Sequence, residues 1–210
     1  TDEAVATAMS RIESESKRMG QLVEDLLTLA RIDERRESKL APFDLFNLAV
    51  DATNDAYATA PDRAVSLVGL NEEVAPTSAT VLGDESRLRQ VVANLLTNAM
   101  RYTPDGSPLE IAVGVREEVH GFPLSVLEVR DHGPGIHGED RERVFERFYR
   151  TDASRSRETG GTGLGLSIVA AIIEQHEGRI HIEETDGGGA TFVISLPFYP
   201  PPVSDDQLMK

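Results

Sequence analysis

The sequence contains no cysteine, which excludes a disulfide scaffold and a thiolate metal site and fits a reducing compartment. Basic residues are scarce: 21 Lys and Arg stand against 36 Asp and Glu, a formal charge of −15. Nucleic acid and anionic membrane surfaces both need clustered cations, so neither is an expected partner. A polyanionic ligand would have to be held by local features. Long hydrophobic runs are missing too. No stretch of roughly 18 apolar residues and no charged-then-apolar leader occurs, so the expectation is a chain that neither spans a membrane nor carries a secretion signal, with the cytosol as the default compartment. A soluble piece of something longer would look the same.

What is present suits an ordinary globular domain: 210 residues, 40% apolar and 27% charged, enough for one full domain and a smaller element. The first 38 or so residues predict one long helix. Val5, Met9, Ile12, Ser16, Met19, Val23, Leu26 and Ala30 alternate steps of four and three, the spacing of a coiled-coil seam. Leu22, Leu27 and Leu29 widen the apolar stripe beyond a two-stranded seam, which favours a helical bundle. Pro42 ends this element, and Asp44 is placed to cap a second helix carrying Leu45, Leu48, Ala49, Ala52 and Ala56 on one side.

From there the pattern changes. Short β-rich runs are expected at 65–70, 80–82, 109–115, 124–129, 179–183 and 191–196, with helices at 85–102 and 164–176 and a shorter one near 141–147. Gly178 sits where a helix-ending residue of positive φ belongs. These elements predict a two-layer α/β sandwich, a mixed sheet with helices on one face, preceded by the long coiled-coil-like helix. The proline-rich, polar end of the chain reads as a loose tail.

Three segments carry polar groups in chemically suggestive patterns. Asn94, Asn98 and Arg101 fall at i, i+4 and i+7 of one helix and share a stripe beside its apolar face. An isolated pair of this kind is most often simply solvated. Asp131 follows a β-rich run and opens a glycine turn through Gly133 and Gly135, where a carboxylate can accept from an exocyclic amine while the backbone approaches a ring. Gly133, Gly135 and Gly138 also fit the spacing of a dinucleotide fingerprint, but no first βα unit of a parallel sheet surrounds them. Gly161, Gly163 and Gly165 lead into a strongly apolar helix, where free N–H groups and the helix dipole can face phosphates. The lysine of a P-loop is absent. Between these, 151–159 is polar and holds Arg155 and Arg157, as a lid over phosphates would.

Together, in this order, the segments resemble the GHKL ATP-binding superfamily, and specifically the catalytic domain of its sensor histidine kinases. The resemblance rests on an asparagine box at 88–104, a first glycine box at 131–136, an aromatic box at 145–150, a second glycine box at 161–166 and a third at 187–192. It implies the Bergerat-type ATP-binding fold over 41–198, with 1–40 as the second helix of the dimerisation hairpin and 199–210 as a flexible tail. It further implies ATP and Mg²⁺ as cofactors, with Asn94 on the metal and Asn98 on the metal and phosphates. Arg101 would lie near the phosphates, and Asn94 and Arg101 would be the catalytic pair. Tyr102 would rest against the adenine, and Asp131 would accept from its amino group with Thr191 assisting. Gly133, Gly135, Arg155, Arg157, Gly161, Gly163, Leu164 and Gly165 would shape the rest of the pocket. Implied partners are the phosphoacceptor-histidine helix of the same kinase, a cognate response regulator and a second copy in a full-length homodimer, in the cytoplasmic part of a membrane-bound sensor.

The chain departs from the family at one place: the first hairpin helix, with its phosphate-accepting histidine, is not found. His120, His132, His137, His176 and His181 all lie in other contexts. The expectation is a donor site without an acceptor. Gln90 stands four residues before Asn94, where ATP-hydrolysing relatives carry a carboxylate base, so hydrolysis should be slow. A pseudokinase that binds nucleotide only to regulate assembly is the remaining alternative.

Overall fold

The computed structural model describes residues 2–33, 39–71, 75–118, 121–151 and 161–200. Helix α1 (Asp2–Asp33) leads. Strand β1 (Ala41–Asp44), helix α2 (Leu45–Thr59), and strands β2 (Val65–Val68) and β3 (Thr80–Gly83) follow it. Helix α3 (Glu85–Tyr102), strands β4 (Leu109–Arg116) and β5 (Leu124–Asp131), and the short helix α4 (Asp140–Arg143) come next. Helix α5 (Gly165–Gln175) and strands β6 (Arg179–Glu184) and β7 (Ala190–Pro197) complete the order.

Five strands form one sheet in the order β2-β4-β5-β7-β6. The β2–β4 pair is parallel and the other three pairs are antiparallel, so the sheet is mixed as expected. Strand alternation divides its two faces. Ile111, Val113, Leu127, Val129, Phe192 and Ile194 point into the core shared with α2, α3 and α5. The opposite face carries an ion-pair ladder in which Arg130 meets Glu128 at 2.7 Å and Arg116 meets it at 3.1 Å. Charges of both signs pair across neighbouring strands there, and only the helix side is an apolar core.

Local chemistry explains the helix boundaries. Asp84 caps α3 by accepting from the N–H groups of Ser86 and Arg87, Glu85 sits in the first turn, and Arg101 sits in the last, where each charge complements the helix dipole. Asp44 caps α2 through Phe46 N at 2.9 Å, as expected, and the same oxygen accepts from Ala79 N at 2.8 Å. That second bond ties the start of α2 to the segment entering β3.

Two expectations need correction. The segment around Pro42 is strand β1, paired antiparallel with β3; an edge strand tolerates a proline that cannot donate to the ladder. The left-handed residue ending α5 is Glu177, at φ 56°, and Gly178 does not have positive φ. Glycine is required at 178 for packing, because a Cβ would sit 2.8 Å from Ser195 O and 3.0 Å from Ile173 Cγ2.

Helix α1 divides along its length. Leu22, Asp25, Leu29 and Ile32 turn toward the domain, with Leu29 3% exposed. Two hydrogen bonds fix this half to the two ends of α5: Thr162 Oγ1 donates to Asp25 Oδ2 at 2.7 Å, and Gln175 Nε2 donates to Ile32 O at 2.7 Å. The coiled-coil seam lies roughly 110° further round the helix, at 100° per residue, and stays in solvent, with Ile12 64% and Met19 63% exposed. The helix therefore presents two different faces, one satisfied by the domain and one uncovered.

Candidate active site

A cavity of about 1120 Å³ opens between α1, α3, the turn after β5, the α4 segment and the glycine loop before α5. Asn94, Asn98, Arg101 and Tyr102 line it from α3; Asp131, Pro134 and Gly135 line it from β5 and its turn; Gly161, Gly163 and Gly165 line it from the loop into α5. The stripe read from helical spacing is thus one wall of a real cavity. Arg155 and Arg157 lie outside the described residues.

Asp131 belongs to the core-facing set of β5 and is 7% exposed. Its Oδ1 accepts from Gly133 N at 2.9 Å and Ala190 N at 3.3 Å, which leaves Oδ2 for the cavity. Burial raises the carboxyl above the ordinary aspartate range, and the two N–H bonds, the charge of His132 when protonated and that of Arg63 pull part of the way back. Gly133 does not line the cavity but is needed beneath it: a Cβ there would meet Thr103 Cγ2 at 2.9 Å.

The part of the cavity at the glycine loop is built from close backbone. Gly163 has φ +74°, and a Cβ on it would lie 3.1 Å from the Cα and C of Phe148, whose N–H donates to Gly163 O at 2.9 Å. At Gly161 a Cβ would stand 2.5 Å from Arg101 Nη1, so the guanidinium lies directly over this loop. Asn94 Nδ2 reaches Gly165 O at 3.5 Å, joining α3 to the first residue of α5. Leu164 does not face the cavity; it is fully buried under the loop as an apolar anchor.

Thr191 does not line the cavity either. Strand alternation sends it to the opposite sheet face, where its hydroxyl meets Thr185 Oγ1 at 2.9 Å, and Ala190 and Phe192 line the cavity instead. The apolar period of Phe192, Ile194 and Leu196 carried this information in the sequence. Among the other lining residues, Tyr149 falls in the aromatic box, while Arg18, Gln21 and Asp25 had no readable signal. The aromatic box folds back so that Tyr149 donates to Asp140 and stacks under Arg143, whose Cζ is 4.4 Å from the ring centroid. From α1, Arg18, Gln21 and Asp25 close the cavity from across the gap.

The donor chemistry bears on which groups fit. No cluster of three His, Cys, Asp or Glu that could hold a metal alone occurs among the described residues. Two neutral amides on one helix face, Asn94 and Asn98, suit a Mg²⁺ that arrives with phosphate oxygens and keeps waters. The cradle of glycines under a guanidinium suits the phosphates, and the buried carboxylate suits an exocyclic amine.

A buried acceptor at a strand end, amides and a guanidinium along one helix, and a glycine loop at a helix N-terminus define a purine-nucleotide-binding α/β domain. Residues 83–200 match the model of the family described as histidine kinase-, DNA gyrase B-, and HSP90-like ATPase. The chain is 44% identical over 196 residues to the probable sensor histidine kinase TcrY of Mycobacterium tuberculosis, covering 93% of this chain and 39% of TcrY. It is 37% identical to the sensor-like histidine kinase SenX3 of Mycolicibacterium smegmatis, covering 91% of this chain and 48% of SenX3. The structure of full-length ShkA in complex with AMPPNP superposes with a TM-score of 0.71 at 28% identity, covering 95% of this chain and 39% of ShkA. The chain belongs to this ATPase family and is a histidine kinase catalytic domain. It spans less than half the length of these curated relatives.

Proposed function

We propose that this chain binds ATP with Mg²⁺ and donates the γ-phosphoryl group to a histidine on the dimerisation domain of a sensor kinase. The observation that carries this reading is that Asp131, the Asn94–Asn98–Arg101 stripe and the glycine loop before α5 all line one cavity. Asp131 Oδ2 takes the adenine amino group. Tyr102 lies beside the base, Arg101 and the N–H groups entering α5 face the phosphates, and Asn94 and Asn98 hold the metal. The bound Mg²⁺ neutralises phosphate charge.

The residues of this chain hold the γ-phosphorus in place while an imidazole nitrogen of the acceptor attacks it. The bond to the β,γ-bridging oxygen breaks and ADP leaves. None of the five histidines serves as acceptor in this reading: His176, for example, is consumed by Ile172 O at 2.7 Å and Asp84 N at 2.9 Å. Residues 41–198 are the catalytic unit and 1–40 the second hairpin helix, in the cytoplasmic part of a membrane-bound sensor that dimerises and passes phosphate to a response regulator. AMPPNP in ShkA supports the choice of nucleotide.

The test is γ-labelled ATP and Mg²⁺ with this chain and a separate histidine-bearing hairpin. Acid-labile label on the hairpin, lost in Asn94→Ala, is the expected outcome. Slow transfer is expected, since a mixed assay lacks the effective concentration of a tether. Label on this chain would assign one of its own histidines as acceptor. ATP binding without any transfer would move the function to nucleotide-dependent regulation.

A further inference from the structure

Arg63 lies ahead of β2, outside every segment that lines the cavity, yet it is only 6% exposed. A buried guanidinium is retained where its fork of donors is used. Here Nη1 donates to Thr103 Oγ1 at 2.8 Å and Nη2 to Pro104 O at 2.7 Å. Both acceptors belong to the turn that directly follows Tyr102 at the end of α3. Thr103 is held from the other side as well, with its hydroxyl donating to Ala99 O at 2.7 Å. The methyl of the same residue is the surface on which the turn after β5 packs: the Cβ position of Gly133 lies 2.9 Å from Thr103 Cγ2, 3.1 Å from Asp131 Oδ1 and 3.4 Å from Tyr102 O.

The contacts therefore run from Arg63 to Thr103, from Thr103 to Gly133, and from Gly133 N to Asp131 Oδ1. We propose that Arg63 is a positioning residue of the nucleotide site, which fixes the Tyr102–Pro104 turn and through it the base-recognising carboxylate of Asp131. The inference rests on the adenine reading given above. Arg63 acts in two separable ways. Its fork sets the geometry of the turn, and its positive charge, together with that of His132 when protonated, opposes the upward push of burial on the Asp131 carboxyl.

Arg63→Gln removes both the fork and the charge; Arg63→Lys keeps the charge on a single-point donor. Calorimetry with MgATP and MgGTP across a pH series separates them. For Arg63→Gln the expected result is about tenfold weaker ATP binding, the scale of one lost charge-assisted hydrogen bond, a smaller ATP-to-GTP ratio, and a loss of affinity in acid that begins at higher pH. Arg63→Lys should restore the pH limb but only part of the affinity. Thr103→Val, which removes the acceptor and keeps the shape, decides the matter if Arg63→Gln does not fold; weaker, less selective ATP binding supports the role. Folded variants with wild-type affinity, selectivity and pH limb overturn the inference, as does an equal loss for ATP and GTP. A wild-type chain that does not prefer ATP would overturn the adenine reading itself.

Discussion

Asp131→Asn is the sharpest perturbation of the site, because the structure divides the work of the carboxylate between its two oxygens. Oδ1 holds Gly133 N at 2.9 Å and Ala190 N at 3.3 Å, and an asparagine can keep its carbonyl oxygen there. The other oxygen becomes an NH₂ group aimed at a ligand amine, so a donor faces a donor. Losing a buried hydrogen bond to a charged acceptor costs about 1.5–3 kcal/mol, roughly 10- to 150-fold in affinity. Folding should change little, and in a favourable direction at neutral pH. The folded carboxyl is raised by burial, so the ionised group opposes folding once pH exceeds that value, and the amide removes the cost. Guanine presents a carbonyl where adenine presents an amine, so the same variant should narrow the gap between ATP and GTP. Calorimetry with both nucleotides, alongside a urea titration, reads all three effects. ATP binding within twofold of wild type in a folded Asp131→Asn chain would refute the assignment of the base site.

Other consequences can be measured independently. In the wild type, ATP affinity should hold at neutral pH and fall as pH drops through the raised Asp131 value, above the ordinary 3.8 of an aspartate; nucleotide titrations in a pH series should show this limb, and Asp131→Asn should lack it. Asp84 behaves oppositely. Burial pushes it up, but bonds from the Ser86 hydroxyl and the α3 N–H groups, with the charge of Arg87, hold it below its usual value. Asp84→Ala should therefore cost about 0.5–2 kcal/mol of folding stability at neutral pH, shrinking as acid passes through the folded value, by urea unfolding. Gly163→Ala forces a side chain into φ +74° and 3.1 Å from the Phe148 backbone; about 1–2 kcal/mol of destabilisation or more is expected, with weaker ATP binding by titration. The exposed seam of α1 should drive concentration-dependent association in sedimentation experiments, abolished by Val23→Glu without a change in melting temperature.

The sequence by itself determined the order of the elements and the chemical alphabet of the site. Short β-rich runs marked each strand of the five-stranded sheet, and a capping aspartate, Asp44, marked the start of α2, because residue type and spacing follow strand and helix geometry. Asn94, Asn98 and Arg101 could be placed on one wall from spacing alone, since all three sit on one rigid helix. Strand β1 stayed hidden because its pairing with β3 joins segments about forty residues apart and its proline mimics a simple helix stop. Thr191 and Ala190 are neighbours in sequence; the apolar period of the strand gives their opposite faces, and the pairing of β5 with β7 brings Ala190 N to 3.3 Å from Asp131 Oδ1. Arg63 carries no pattern at all: a lone arginine before a strand becomes informative only when the fold brings Thr103 and Pro104, forty and forty-one residues later, within reach of its guanidinium. The division of α1 into a docked face and an open one was likewise a tertiary decision. Apolar spacing shows which residues seek cover, and only the position of α5 settles which of them receive it.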